Sequence, residues 1–302
     1  MSQSIQNEKA VAASDLCIAI PCFNEAAVIG RVLDELEAAL PEAEILVVDD
    51  GSIDGSRDII RQHPRVRLLE HDRNRGYGAS IRTACLQAGR EWILWYDGDG
   101  QHRPEMIEVV LPYARAYDCV IGARSSSSRL DWRRQAGRRV LLWVAQVLTR
   151  TRIPDLNSGL RVFRLATLKR YLHLLPDGFS ASTTTTMLML ERGYRVRWIP
   201  ITTGARTGRS SVRLLRDGWA TLMLILHLVI LFNPLRFFMP LSLGLCFAGL
   251  VYGVVRAILG GLGIPAAAVV VILLGVQAFF FGLLADQISA IRKERYEDMP
   301  DD

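Results

Sequence analysis

The five cysteines of this 302-residue chain (17, 22, 85, 119 and 246) form no Cys-x-x-Cys pair and no metal-ligand spacing. That excludes a zinc ribbon or a dithiol redox motif, and leaves thiols that pack as small apolar residues in a reducing compartment. There is no GxxxxGK[ST] loop. The nearest glycine pair, Arg75-Gly76-Tyr77-Gly78, lacks a third glycine and does not follow the first strand-like run. A P-loop kinase or a nicotinamide-dinucleotide enzyme therefore does not fit. Met1–Asp15 has one lysine and no apolar core, unlike a signal peptide, and reads as a disordered tail (1–15). The net charge of +5 is modest and local, so no nucleic-acid partner is expected. No internal repeat occurs, and the only low-complexity tract is Ser125–Ser128.

Charge is also missing from one long region. Between Trp219 and Leu284 the only charged side chains are Arg236 and Arg256. Residues 237–259 and 266–285 each supply the roughly 20 apolar residues needed to cross about 30 Å of hydrocarbon. With the short Gly260–Pro265 turn between them they read as a transmembrane hairpin within 236–288. Arg209, Arg213, Arg216 and Arg236 precede it, and Arg292, Lys293 and Arg295 follow it. By the positive-inside rule both ends face the cytoplasm, with 289–302 as a cytoplasmic tail of a multi-pass plasma- or inner-membrane protein. Gly218–Phe232 would span only about 22 Å as a helix, so 211–235 is expected along the membrane surface. Arg256 is expected to snorkel to the far interface.

The segment 16–210 alternates short apolar runs with helical periodicity. Leu16–Ile20, Ile45–Val48, Val66–Leu69, Trp92–Tyr96 and Cys119–Ile121 read as strands. Ala26–Leu40, Ser56–Gln62, Tyr77–Ala88 and Glu105–Tyr117 read as helices, with Asn24 and Asp54 as N-caps and Pro104 in a first turn. This spacing predicts α/β architecture with a mainly parallel, Rossmann-like sheet.

Ligands of such sheets bind beyond the carboxyl ends of the strands. There the chain places Pro21-Cys22-Phe23-Asn24-Glu25, Asp49-Asp50-Gly51-Ser52 and Asp97-Gly98-Asp99-Gly100-Gln101. Carboxylates gathered in this way repel one another unless a cation intervenes. Asp97 and Asp99 suit a hard divalent ion, Mg²⁺ or Mn²⁺, shared with substrate phosphate oxygens. A diphosphate is the natural bound partner.

Taken together, these stretches resemble the family 2 glycosyltransferases of the GT-A fold, in particular their polyprenyl-phosphate (dolichol-phosphate mannose synthase-like) branch. The matching segments are IAIPCFNEAAVIG, ILVVDDGSIDGS, NRGYGASIRTA, WYDGDGQHRPEMI, VIGAR, DLNSGLRVFR, ERGYRVRWIPI and RTGRSSVR, in that order. The resemblance implies that Pro21, Phe23, Glu25, Asp49, Asp50, Gly76 and Asp97 surround the nucleotide sugar, with Arg82 nearby. It implies that Asp97, Asp99 and Gln101 hold the metal, and that Arg124 and Arg133 meet donor and acceptor phosphates. Asp155, Ser158 and Gly159 would line the acceptor side, with Arg206 and Arg209 in a closing loop. Phe23 stands where tyrosine is common, Ser211 where lysine is usual and Gly100 where leucine is usual.

The basic half of the site has independent support. Eight arginines but one acid, Asp131, lie between Arg124 and Arg152, interleaved with Trp132, Leu141, Leu142, Trp143, Val147 and Leu148. Such a helix suits a membrane surface and a lipid phosphate. The expected reaction is transfer of a hexose, with inversion, from a UDP- or GDP-linked donor to a polyprenyl (undecaprenyl or dolichyl) monophosphate. Asp99, Arg124 and Arg133 would carry catalysis, and His102 would act from behind the metal motif. A homo-oligomer is compatible with this organisation. The alternatives are a processive polysaccharide synthase, a transferase acting on a soluble acceptor, or a non-catalytic sugar-nucleotide-binding scaffold subunit. Against the first, Tyr194 stands where a Gln-x-x-Arg-Trp motif ending at Arg197-Trp198 needs glutamine.

Overall fold

The computed structural model describes residues 10–124, 132–178, 180–202, 223, 230, 234–260 and 263–297, without the side chains of 132–139, 148 and 292–297. The chain divides into two compact units, Met1–Leu214 and Leu215–Asp302.

The first unit is built on a seven-stranded sheet. β1 (Leu16–Cys22), β2 (Glu44–Asp49), β3 (Val66–Glu70), β4 (Trp92–Trp95) and β5 (Cys119–Arg124) coincide with the five apolar runs. Two further strands, β6 (Arg161–Arg164) and β7 (Val196–Ile201), complete it. The order is β3-β2-β1-β4-β6-β5-β7. All pairings are parallel except those of β6, which runs antiparallel to both β4 and β5. This is the expected mainly parallel, GT-A-like sheet.

Helices cover both faces. α1 (Ile29–Ala39) turns Ile29, Val32, Leu33 and Leu36 inward, the three- and four-residue spacing of an amphipathic helix. α2 (Ser56–Arg61), α3 (Tyr77–Gln87) and α4 (Glu105–Val110) follow their strands. α4 is shorter than its periodicity suggests, because Pro112 lacks the N–H that would continue it and the chain tightens into a 3₁₀ turn at Leu111–Tyr113. α5 (Trp132–Thr149), α6 (Leu165–Lys169) and α7 (Ala181–Glu191) complete the unit. Cys17, Cys22, Cys85 and Cys119 are buried, and burial pushes the last three thiols up to about 12, so they are inert packing groups.

Asn24 and Asp54 are not N-caps. Val28 and Gly55 occupy those positions, and the two polar side chains cross-tie neighbouring strand ends instead. Asn24 Oδ1 accepts from the Ile53 amide at 2.9 Å, and Asp54 Oδ2 accepts from the Ala26 amide at 3.0 Å.

The second unit is a hairpin of α8 (Pro234–Gly260) and α9 (Ala266–Glu297). Both are long and apolar enough to cross a membrane, over Pro234–Gly260 and Ala266–Ile291. α9 runs past the expected span end at 285 because no proline or glycine interrupts Ala285–Glu297. Nearly all of the expected surface helix 211–235 lies outside the described residues.

Candidate active site at the carboxyl edge of the sheet

The three acidic segments meet at the carboxyl ends of β1, β2 and β4. Their carboxylates are not equivalent. Asp49 is fully buried, and Arg57 donates to its Oδ2 through Nε at 3.0 Å and Nη2 at 2.7 Å. Asp50 is committed to the protein: Oδ1 accepts from the Arg75 amide at 2.9 Å and Oδ2 from the Gly76 amide at 2.8 Å. His71 Nδ1 lies 2.7 Å from its Oδ1. Asp50 therefore shapes the loop that begins α3. Pro21 and Glu25 are partly exposed on the rim, and the Phe23 ring is 42% exposed, open to a stacking partner. Gly76 has φ +102°, and a Cβ there would collide with the Asp177 backbone, so packing alone already demands glycine.

Asp97 and Asp99 behave differently. The Asp97 side chain keeps 31% of its surface, yet the protein surrounds it deeply enough to push its carboxyl above the ordinary range. Burial is the main cause, and the charge of Asp99 adds to it. His102, Tyr77 and Arg124 oppose the shift without cancelling it. Gln101 donates its backbone N–H to Asp99 Oδ1 at 3.1 Å and its side-chain amide to Oδ2 at 2.7 Å. His102 is buried, with Nε2 3.8 Å from Asp97 Oδ2 and Nδ1 without a partner. Burial pulls its pKa down, against the pull of the Asp97 and Asp99 charges, so it is neutral at pH 7.

The basic partner arrives from β5. Arg124 grips Asp155 in a two-point contact, Nε to Oδ2 at 2.8 Å and Nη2 to Oδ1 at 3.1 Å. Burial acts against the guanidinium charge, but the hydrogen bond and charge of Asp155 outweigh it and raise its pKa. The loop carrying Asp155 packs directly on the Asp97–Asp99 segment: a Cβ on Gly159 would run into the Asp97 carboxylate. Ser158 Oγ is buried there without a hydrogen-bond partner. Trp198 Nε1 donates to the Asp155 carbonyl at 3.1 Å, tying the loop to β7.

Motif reading misses the residue that organises this loop. Arg161 is fully buried and donates to the carbonyls of Ser158 (2.6 Å), Ser182 (2.7 Å) and Leu156 (2.9 Å), and to Thr186 Oγ1 (2.8 Å). Its signal is an arginine beside the apolar Val162-Phe163 pair of a short strand.

Arg82 is engaged by other partners, donating to the Leu175 carbonyl at 2.6 Å and pairing with Asp177. Arg133 lies on α5, its side chain outside the described set, and Arg206 and Arg209 lie outside the described residues.

Two carboxylates with hard oxygen donors, one of them destabilised in its ionised form, fit a divalent cation that shares substrate phosphates. Among the described residues, one cluster of three His, Cys, Asp or Glu side chains lies within mutual ligand reach. It is Asp34, Glu37 and His63, on α1 and just before the start of β3, with Asp34 76% exposed.

Residues 17–174 match the model of glycosyl transferase family 2, and residues 233–291 match that of the GtrB C-terminal hairpin. The undecaprenyl-phosphate mannosyltransferase of Micrococcus luteus is 28% identical over 61% of this chain and 81% of its own. The glycosyltransferase AglJ of Haloferax volcanii is 28% identical over 93% of this chain and 95% of its own. Among solved structures, glucosyl-3-phosphoglycerate synthase from Mycobacterium tuberculosis, in complex with Mn²⁺, UDP and glucosyl-3-phosphoglycerate, superposes with a TM-score of 0.56. It is 13% identical and covers 76% of this chain and 81% of its own, a likeness of fold. With the family model covering the strands that carry every acidic segment of the site, the chain belongs to glycosyl transferase family 2.

Proposed function

We propose that this protein is a metal-dependent, inverting transferase that moves a hexose from a UDP- or GDP-linked donor to a polyprenyl monophosphate. Its catalytic unit works at the cytoplasmic face of the membrane that the hairpin spans. The observation that carries this reading is the convergence of the Asp97 and Asp99 carboxylates, Asp97 destabilised in its ionised form by burial, with an Arg124 aimed by Asp155. Such a site is acidic where a metal-bound diphosphate would lie and cationic beside it. Two similar proteins support each half: the Micrococcus luteus relative is a transferase to a lipid phosphate, and the Mycobacterium tuberculosis synthase binds Mn²⁺ together with UDP.

Asp97 and Asp99, with Gln101 steering Asp99, would hold the metal. A divalent ion there would neutralise the charge that develops on the departing nucleoside diphosphate. Phe23 offers a ring face to the base. Arg124, joined by Arg133, would bind the acceptor phosphate and set its oxygen in line with the anomeric carbon. A phosphate monoester has a second pKa near 6. At neutral pH it attacks without a general base, in keeping with a neutral His102. α5 supports a membrane surface close to the chemistry: Val140, Trp143 and Val147 form an exposed apolar stripe opposite buried Leu141 and Ala145.

The test uses detergent-purified full chain with Mn²⁺ or Mg²⁺ and a short polyprenyl phosphate. UDP-glucose, UDP-N-acetylglucosamine and GDP-mannose are supplied separately. Metal- and lipid-dependent release of nucleoside diphosphate, abolished by Asp99→Ala, is expected with one donor. Release independent of lipid, or a fully active Asp99→Ala protein, would overturn the reading.

A further inference from the structure

Asn157 is an exposed residue inside a buried run. Asp155, Leu156, Ser158, Gly159 and Leu160 around it are all buried, and within 155–160 Asn157 alone opens to solvent. An exposed asparagine is ordinarily free to turn, yet this one is held through both backbone and side chain. Arg161 fixes the peptides on either side of it, donating from Nη2 to the Leu156 carbonyl and from Nε to the Ser158 carbonyl. The Asn157 N–H donates to Asp155 Oδ1 at 3.0 Å. Its side-chain Oδ1 accepts from the hydroxyl of Thr183, which is 1% exposed on α7. Holding a surface side chain costs rotamer entropy, and fixing a group in advance is what a binding site requires.

The held orientation also decides what Asn157 can bind. With Oδ1 engaged by Thr183, the amide turns its Nδ2 hydrogens outward, and Nδ2 makes no hydrogen bond among the described residues. A face made only of donors matches a ligand made only of acceptors. The neighbouring cation narrows the choice. Asp155 Oδ1, which takes the Asn157 N–H, also takes Arg124 Nη2 at 3.1 Å, so loop and guanidinium meet on one oxygen. Arginine beside a primary amide suits the oxygens of a phosphate. A sugar hydroxyl would bring a proton that this face cannot accept.

We propose that Asn157 binds the phosphate monoester of the acceptor, its Nδ2 hydrogens donating to a phosphate oxygen beside Arg124. Thr183 is the positioning residue that keeps those hydrogens turned outward. The inference rests on the transferase reading above and adds a residue to that same site.

Detergent-purified full chain is titrated calorimetrically with farnesyl phosphate, and with farnesol as the phosphate-free control. Asn157→Ala should weaken farnesyl phosphate binding about ten-fold, the size of one hydrogen bond to a charged group. Asn157→Asp keeps the Thr183 bond but turns an anionic oxygen towards the phosphate, and should weaken binding further. Thr183→Val should weaken it about three-fold, and Thr183→Ser should restore it. Donor KM should hold in all four. Asn157→Asp retains the backbone and Thr183 bonds, so the test stands even where Asn157→Ala fails to fold. Unchanged farnesyl phosphate affinity in Asn157→Asp would overturn the proposal. A rise in donor KM without loss of that affinity would overturn it too, by assigning the amide to the sugar. Farnesol bound as tightly as farnesyl phosphate by the unmodified chain would overturn the lipid-phosphate reading itself, and this inference with it.

Discussion

Asp155→Asn probes how the cationic half of the site is aimed. The Asp155 carboxylate is buried and accepts two bonds from the Arg124 guanidinium, one from the Arg124 amide at 3.3 Å and one from the Asn157 amide at 3.0 Å. Asparagine keeps the shape but removes the charge and turns an NH₂ towards one of these donors. Breaking a fully buried ion pair costs about 3–5 kcal/mol. Arg124 retains 27% of its side-chain surface and can rehydrate, so about 2–3 kcal/mol is the better expectation. For a unit of this size that corresponds to a fall of about 4–12 °C in melting temperature. The catalytic consequence should be larger than the stability loss. A guanidinium no longer held in line forfeits positioning, with kcat down about 100-fold and donor KM little changed. The assay pairs calorimetry with lipid-dependent turnover in Asp155→Asn, Arg124→Ala and the double variant. If Asp155 acts through Arg124, the double variant loses no more activity than Arg124→Ala alone. Losses that multiply, or an Asp155→Asn protein with normal kcat, would refute the argument.

Three other outcomes follow from the same geometry. Asp97 has its folded-state pKa raised, so its stabilising contribution is present below the ordinary carboxylate range and lost as pH rises through the raised value. Asp97→Asn should therefore melt higher than the unmodified chain at neutral pH in chelator, with the advantage vanishing on acidification. Mn²⁺ should stabilise only the unmodified chain, and calorimetry across pH with and without metal decides it. Gly159→Ala drives a methyl into the Asp97 carboxylate; Mn²⁺ affinity by titration calorimetry should fall at least ten-fold, and an unchanged affinity would mean the loop yields. Trp143→Glu removes the most exposed ring of the α5 stripe from the lipid surface. Burial of such a side chain is worth about 1.5–3 kcal/mol, so KM for the lipid acceptor in nanodiscs should rise about ten-fold or more. Donor KM should hold, and a parallel rise in both would contradict an interfacial role.

The sequence is legible where a residue's neighbours along the chain decide its structure. β1 to β5 are continuous apolar runs, and the acidic segments announce themselves at their ends. β6 and β7 resist the same reading for identifiable reasons. Arg161-Val162-Phe163-Arg164 carries an arginine at each end, and full burial of Arg161 becomes intelligible only once four acceptors from Leu156, Ser158, Ser182 and Thr186 surround it. β7 contains Pro200, which counts against a strand until its place at the sheet edge is known. α7 hides behind Ser182–Thr186, hydroxyl residues that look solvent-exposed but are all buried, Thr185 and Thr186 bonding back to carbonyls one turn earlier. The Arg124–Asp155 pair joins residues far apart in sequence, so no local spacing rule reveals it.

The reversal of β6 is what makes one site out of these parts. In a wholly parallel sheet, the strand between β4 and β5 would send its following loop to the carboxyl edge and its preceding loop to the far side. Because β6 is antiparallel, Arg161 at its start pairs with Trp95 at the end of β4 and with Ile121 of β5. The segment leading into β6 is therefore delivered beside Asp97 and Arg124 at once. Asp155 takes the guanidinium, Gly159 leaves room for the carboxylate, and Arg161 locks the loop by its carbonyls. Arg124 is thus paired with Asp155, while burial leaves the Asp97 carboxylate disfavoured in its ionised form. On the proposed function, that division would let the carboxyl edge of the sheet address an anionic donor through a metal and an anionic acceptor through an arginine.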